Sequence, residues 1–269
     1  MKRSAVEIGW RGRRNSRRGE HRSHSGLAAA WERAAPNLGR LLVFVLILHA
    51  TSTSRAADPE SPHPHQGLIE PFAGPPPELE LDAAQERALA AGQSIFTSLE
   101  GKAGGRGLAV QDIAASPQEV WSRIRDFSDY PRMVDHIQEC EPYYENGSDT
   151  RVRFVLKILS FRYEYYIKHD FRPEAGYASW TLDYSRNSDL DDSVGYWAVI
   201  PHPTKPGHSR LFYSIDMRMR GWFPGPLRRL LARQGLRTAT SWVKREAESA
   251  AREDDELRAT GGRNDRDRS

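Results

Sequence analysis

At 269 residues and 30.5 kDa the chain has room for one or two domains. Its formal charge of +3 is uneven: residues 1–57 hold 11 Lys or Arg against 3 Asp or Glu, a balance of +8, which leaves 28 against 33, or −5, for the rest. The pI of about 9.0 therefore describes the leader, and the remainder lacks the cationic surplus that a nucleic-acid surface needs; the single cysteine, Cys140, excludes both an intramolecular disulfide and a Cys-based metal centre.

Residues 1–57 read as a basic leader. Arg11, Arg13, Arg14, Arg17, Arg18 and Arg22 precede the uncharged run Leu41 to Leu48, LLVFVLIL. That run suits the hydrophobic segment of a signal peptide and falls short of the roughly 20 residues that span a bilayer. Ser54, Arg55 and Ala56 place small residues for cleavage after Ala56. An uncleaved signal anchor and the first half of an organelle or plastid leader fit the long basic region as well, although Glu7, Glu20 and Glu32 count against a simple transit peptide. The secretory pathway or an organelle is the expected destination.

Residues 58–106 predict a Pro-rich linker and a short helix. Pro62, Pro64, Pro71 and the run Pro75 to Pro77 favour extended chain. His63 and His65 sit in it with no third ligand in reach along the sequence, so no metal site is expected. From Glu78 to Leu99 the spacing of Leu79, Leu81, Ala84, Ala88 and Leu89 predicts a helix that docks on the following domain or precedes it loosely.

Residues 107–249 carry the folded domain. Leu108, Val110 and Ile113 make a first strand, and Ser116, Pro117 and Glu119 start a helix with its cap, first-turn proline and acid in place. Val120, Trp121 and Ile124 give that helix a buried stripe; Ser128 to Pro131 start a second, short helix bearing Met133, Val134 and Ile137.

Strand alternation then dominates. Val152, Phe154, Leu156 and Ile158 share one face, with Arg151, Arg153 and Lys157 on the other. Phe161, Tyr163, Tyr165, Ile167 and Phe171 repeat the pattern, as do Ala178, Trp180 and Leu182, then Gly195, Trp197 and Val199, then Leu211, Tyr213, Ile215, Met217 and Met219. Such alternation predicts an antiparallel sheet with one solvated face. Gly195 marks either a bulge or space beside a tryptophan for another molecule. A closing helix is predicted from Pro226 to about Glu248, with Leu227, Leu230, Leu231, Thr238 and Trp242 on one stripe and Gly235 on it, a glycine that implies close approach to the sheet or a ligand. Residues 250–269 read as a charged, disordered tail.

One strand, a helical pair, six strands and a long helix is an order that encloses a cavity. The stretch from Gly107 to Glu248 resembles the START-like, helix-grip superfamily, in its polyketide cyclase/dehydrase and coenzyme Q-binding branch. The resemblance rests on PQEVWSRIRDFSDYPRMVDHI at Pro117 to Ile137, DDSVGYWAVIPHP at Asp191 to Pro203, SRLFYSIDMRMRGWFPGPLRRLL from Ser209, and GLRTATSWVKRE from Gly235. It implies an α+β fold: a seven-stranded antiparallel sheet wrapped around a long C-terminal helix, with two short helices after the first strand. It also implies an apolar cavity that takes lipids, quinones, sterols or polyketides.

Face periodicity and the geometry implied by the resemblance predict a ligand-binding set of Phe154, Leu156, Tyr163, Tyr165, Trp180, Trp197, Tyr213, Met217, Leu231 and Gly235. Non-catalytic binding of a hydrophobic small molecule is the favoured reading, with no cofactor. An aromatase/cyclase-type enzyme is the alternative. Its acid or base candidates are His136, His169, Asp183 and Asp216, which lie in no recognised catalytic spacing; of these, His169 shares the face of Tyr165 and Phe171. The turn GWFPGP, with Trp222 and Phe223 beside Arg218, Arg220, Arg228 and Arg229, is the candidate membrane-contact surface.

Overall fold

A computed structural model describes residues 57–77, 79–100, 104–158, 160–220 and 225–264. The basic leader, its apolar run, Trp222 and Phe223 lie outside the described residues. No described helix is long and apolar enough to cross a membrane.

Local chemistry sets the first elements. The Asp82 side chain accepts from the amides of Ala84 and Gln85, and the Gln85 side chain accepts from the amide of Asp82, which starts helix α1 at Ala83–Ala90. This reciprocal cap fixes the start at Ala83, five residues later than the apolar spacing suggests. Gly92, at φ +78°, turns the chain out of the helix. Ile95–Glu100 then forms strand β1 against strand β2, Gly104–Ile113. The helix expected over Glu78 to Leu99 is thus half helix and half strand, and the sheet gains an eighth strand.

Ser116 caps helix α2, Pro117–Ile124, with Glu119 reaching back to the Ser116 amide at 2.6 Å. A 3-10 turn at Phe127–Asp129 and the single-turn helix α3, Tyr130–Met133, complete the helical pair. Six strands follow: β3 Ile137–Asn146, β4 Asp149–Ile158, β5 Phe161–Arg172, β6 Tyr177–Leu182, β7 Leu190–Pro201 and β8 Ser209–Met219. The sheet is antiparallel throughout in the order β1-β2-β8-β7-β6-β5-β4-β3. Helix α4, Gly225–Asn264, closes the fold and continues through the acidic run expected to be disordered.

Helix α4 meets β2 at one point of close approach. A Cβ on Gly107 would collide with the Leu236 side chain, so the bare backbone of the strand admits the helix. Leu236, Trp242, Val243 and Ala247 bury the described stripe of α4 in the main core. Gly235 falls in the stretch of α4 whose side chains lie outside those described, and the glycine that admits the helix here is Gly107 on the strand.

The sheet is not solvated across its outer face. Leu89, Val110, Tyr196 and Phe212 form a second apolar cluster, packed against Phe72, Leu79, Leu81 and Ile95. The segment ahead of α1 is therefore docked chain. Asp58 pairs with Asn187, and the buried Asp192 carboxylate accepts from the amides of Leu68 and Ile69 and from the Tyr184 hydroxyl. Arg210, only 5 % exposed, binds both Glu86 of α1 and Asp112 of β2, while His202 also meets Asp112 at 2.9 Å. Over β3 to β5 the outer face is ionic: Arg151 meets Asp149 and Asp183, Arg153 meets Glu139, Glu141 and Glu164, and Arg172 meets Asp170. The arginine rows of the strands thus spend their charge on neighbouring carboxylates.

Candidate functional site

A cavity of about 200 Å³ lies on the inner face of the sheet. Phe154 and Leu156 of β4, Tyr163 and Tyr165 of β5, Trp180 of β6, Trp197 of β7, and Tyr213 and Met217 of β8 all line it. Tyr130, Val134 and Ile137 close one end, and Ala239 and Trp242 face it from α4. Of the ten residues expected from the sequence, eight meet around this one space. Leu231 and Gly235 lie in the part of α4 whose side chains fall outside the described residues.

Rings build the wall. Phe154 stacks on Tyr165 with centroids 5.4 Å apart, Trp197 lies 4.3 Å from Tyr213, and Trp180 stacks on Tyr213 at 5.6 Å. Gly195 makes this possible: it pairs across the strands with Trp180, and the indole lies where a Cβ would be. The glycine is neither a bulge nor a vacant space beside the tryptophan, because Trp180 itself takes the room.

Ile167, Ile215 and Met219 also line the cavity. They share the period-2 faces of residues already expected and were legible in the pattern. Leu190 and Ser193 were not. They are three apart yet both line the cavity, because a register shift between Leu190 and Asp192 breaks the alternation of β7.

Polar groups are few and placed by the wall. The Trp180 indole donates to the Ser193 hydroxyl at 3.3 Å. Burial pushes the phenols of Tyr165 and Tyr213 well above the usual tyrosine range, so both stay protonated, and neither hydroxyl has a hydrogen bond among the described residues. His169 is buried between Phe171 and Phe127, with ring centroids at 5.3 and 5.5 Å. Its Nδ1 lies 3.3 Å from the Thr150 carbonyl, which can only accept, so Nδ1 carries the proton and Nε2 is the ring's acceptor.

Desolvation lowers the His169 pKa from 6.5 to about 4. The native state buries it neutral while the unfolded chain protonates it near 6.5, so its contribution is complete above 6.5 and is lost as pH falls toward 4. The chain is expected to lose stability across that window, and His169→Phe to flatten the loss. Urea midpoints measured between pH 7 and 4 check this; equal slopes for both proteins would contradict it.

The other acid or base candidates lie elsewhere. Asp183 is buried on the outer side of its strand end; burial alone would raise its carboxyl, but hydrogen bonds from Ser185 and Tyr143, together with Arg151, hold it below the ordinary range. Asp216 is bound by Arg106. His136 has φ +71° and gives its carbonyl to the Lys157 amide, and it does not line the cavity. Cys140 is buried, and desolvation pushes its thiol far up, so it behaves as an apolar residue.

One feature departs from the expectation of no metal ligands. The fold brings Asp191 of β7 to His63 and His65, with ligand atoms of all three within 4.8 Å of one another. The pairing spans more than a hundred residues of sequence, so no local spacing announces it.

Comparison with known proteins follows the same lines. Residues 113–241 match the family described as polyketide cyclase / dehydrase and lipid transport. No curated protein sequence matches the chain. Similar solved structures include the Zhui aromatase/cyclase of Streptomyces sp. R1128, 15 % identical, covering 58 % of this chain and 94 % of that one, TM-score 0.45. A START superfamily protein of Mycobacterium smegmatis is 17 % identical, covering 58 % and 98 %, TM-score 0.44. A STAR-related lipid transfer protein of Xanthomonas axonopodis is 8 % identical, covering 63 % and 97 %, TM-score 0.48. The antiparallel sheet, the closing helix and the match over residues 113–241 agree in showing a START-like fold that resembles the polyketide cyclase / dehydrase and lipid transport family.

Proposed function

We propose that the chain binds and carries a hydrophobic small molecule, a lipid, an isoprenoid quinone or a related compound, in the cavity between sheet and α4. The observation that carries this reading is the cavity itself: about 200 Å³, walled by aromatic rings and aliphatic side chains. Water in a space walled this way meets few hydrogen-bond partners and is held there at a cost. An apolar guest offsets that cost, and the hydroxyls of Tyr165 and Tyr213 with Nε2 of His169 offer hydrogen bonds to a carbonyl or hydroxyl head. Native mass spectrometry with solvent extraction of the chain purified from its own cells tests the reading. A stoichiometric apolar compound is expected; a chain that arrives empty and takes up neither phospholipid nor quinone would overturn it.

A cyclase-type enzyme acting on a polyketide-like substrate is the second reading. It is favoured by one feature, a neutral imidazole in the cavity wall. A poly-ketone substrate turned over by the parent, and no longer by a folded His169 variant that still binds it, would establish the enzyme over the carrier.

The same reading includes loading at a membrane surface by Trp222 and Phe223, after delivery by the basic leader. Replacing both residues by Ser is expected to lower binding to anionic phosphatidylserine vesicles about 10-fold or more, since two interfacial aromatics and the adjacent arginines act together. Sedimentation with the vesicles measures it, and unchanged binding would remove the membrane step.

A further inference from the structure

Across the sheet from the cavity, the docked N-terminal segment brings two imidazoles and a carboxylate together. His63 is 4 % exposed, and its Nε2 lies 3.0 Å from the Asp191 carbonyl. That oxygen only accepts, so Nε2 donates and Nδ1 holds the ring's lone pair, met by the Ser188 amide at a long 3.4 Å. The rings of His63 and His65 sit edge to face at 4.6 Å. His65 Nε2 is buried, makes no hydrogen bond, and points at Asp191 Oδ1, 3.5 Å away. A buried ring nitrogen that faces a carboxylate at that separation without a hydrogen bond to it has the spacing of two ligands on one ion.

We propose that His63, His65 and Asp191 form a binding site for a divalent transition-metal ion of the Zn²⁺ class, which pins the segment ahead of α1 to strand β7. Ligands held at about 2.0–2.1 Å around a tetrahedral ion are about 3.3–3.5 Å from one another, which is the His65 to Asp191 separation. The ligand atoms of the trio lie within 4.8 Å of one another, and ligation through His63 Nδ1 gives up its long bond from the Ser188 amide. Two imidazoles and one carboxylate suit Zn²⁺ or Co²⁺ better than Mg²⁺ or Ca²⁺, which prefer all-oxygen shells. Ligation through His65 Nε2 moves that ring's proton to Nδ1 and gives up its bond from the Gly67 amide, an exposed hydrogen bond. In return the ion joins residues 63 and 65 to residue 191, across a contact otherwise held by backbone pairs at Asp58 and His63 and by the Asp192 carboxylate.

Zn²⁺ alone is the probe, titrated into the full chain against a chromophoric chelator, with Co²⁺ spectra to read the coordination. The expected result is one Zn²⁺ site whose affinity falls about 10-fold or more in His65→Gln and in Asp191→Asn, and not in His208→Ala, at a half-buried histidine elsewhere. Zn²⁺ is also expected to raise the Tm of the parent and to slow proteolysis between residues 57 and 77, with both effects lost in the two variants. Both half-exposed positions tolerate the conservative changes, and urea unfolding without metal confirms that the variants fold. Affinity that is unchanged in these variants, or that falls equally in His208→Ala, would overturn the proposal, as would Zn²⁺ binding that leaves the proteolysis of the segment unaltered.

Discussion

Gly195→Ala is expected to lower Tm by roughly 6–12 °C, the consequence of about 3 kcal/mol of overpacking in a domain of this size. The added Cβ meets the Trp180 ring on one strand and the Ser214 carbonyl oxygen on another. The ring alone could turn aside; the carbonyl belongs to the β7–β8 ladder and moves only with the sheet. Displacing Trp180 also breaks its bond to Ser193 and its stacking on Tyr213, so retention of an apolar guest should fall together with stability. Thermal unfolding of the variant beside its parent measures the first effect. A melting point within about 2 °C would mean that the strand relaxes freely around position 195 and that the tryptophan is not fixed by it.

Ala239→Phe is expected to reduce guest retention at least about 10-fold while leaving the chain folded. Ala239 is half-buried on α4 and faces the cavity. A benzyl group there enters space already present, so it avoids the overlap that Gly195→Ala forces, and cavity-filling changes commonly leave stability equal or higher. Extraction of parent and variant, each purified from the same cells, compares bound compound per chain, and thermal unfolding confirms the fold. Full retention by a folded variant would locate binding away from this cavity and remove the basis of the carrier reading. The pair of substitutions separates two causes of lost binding: a collapsed wall in the first, a filled space in the second.

Much of the cavity wall was legible in the chain because a strand repeats every two residues. Once Phe154, Tyr165, Trp180, Trp197 and Tyr213 are known to sit on alternating faces, burying those faces brings them together, and their pairing across β4 to β8 follows. Capping chemistry was equally local: Ser116, Pro117 and Glu119 started α2 where the residues require it. The helix expected over Glu78 to Leu99 failed for the complementary reason. Apolar spacing there suited both periods, and what decides for strand at Ile95–Glu100 is a partner, β2, that supplies the missing hydrogen bonds.

The sequence by itself determined the alternating faces, the helix starts, and the resemblance to a sheet closed by one long helix, because each depends on neighbours within a few residues. Only the tertiary structure decided that the Pro-rich segment covers the outer face of β7 and β8, that a register shift turns Leu190 and Ser193 into the cavity, and that Asp191 joins His63 and His65. Those three outcomes rest on contacts between distant parts of the chain. Their energies come from surface buried and partners met on folding, and no periodicity within a short window encodes them.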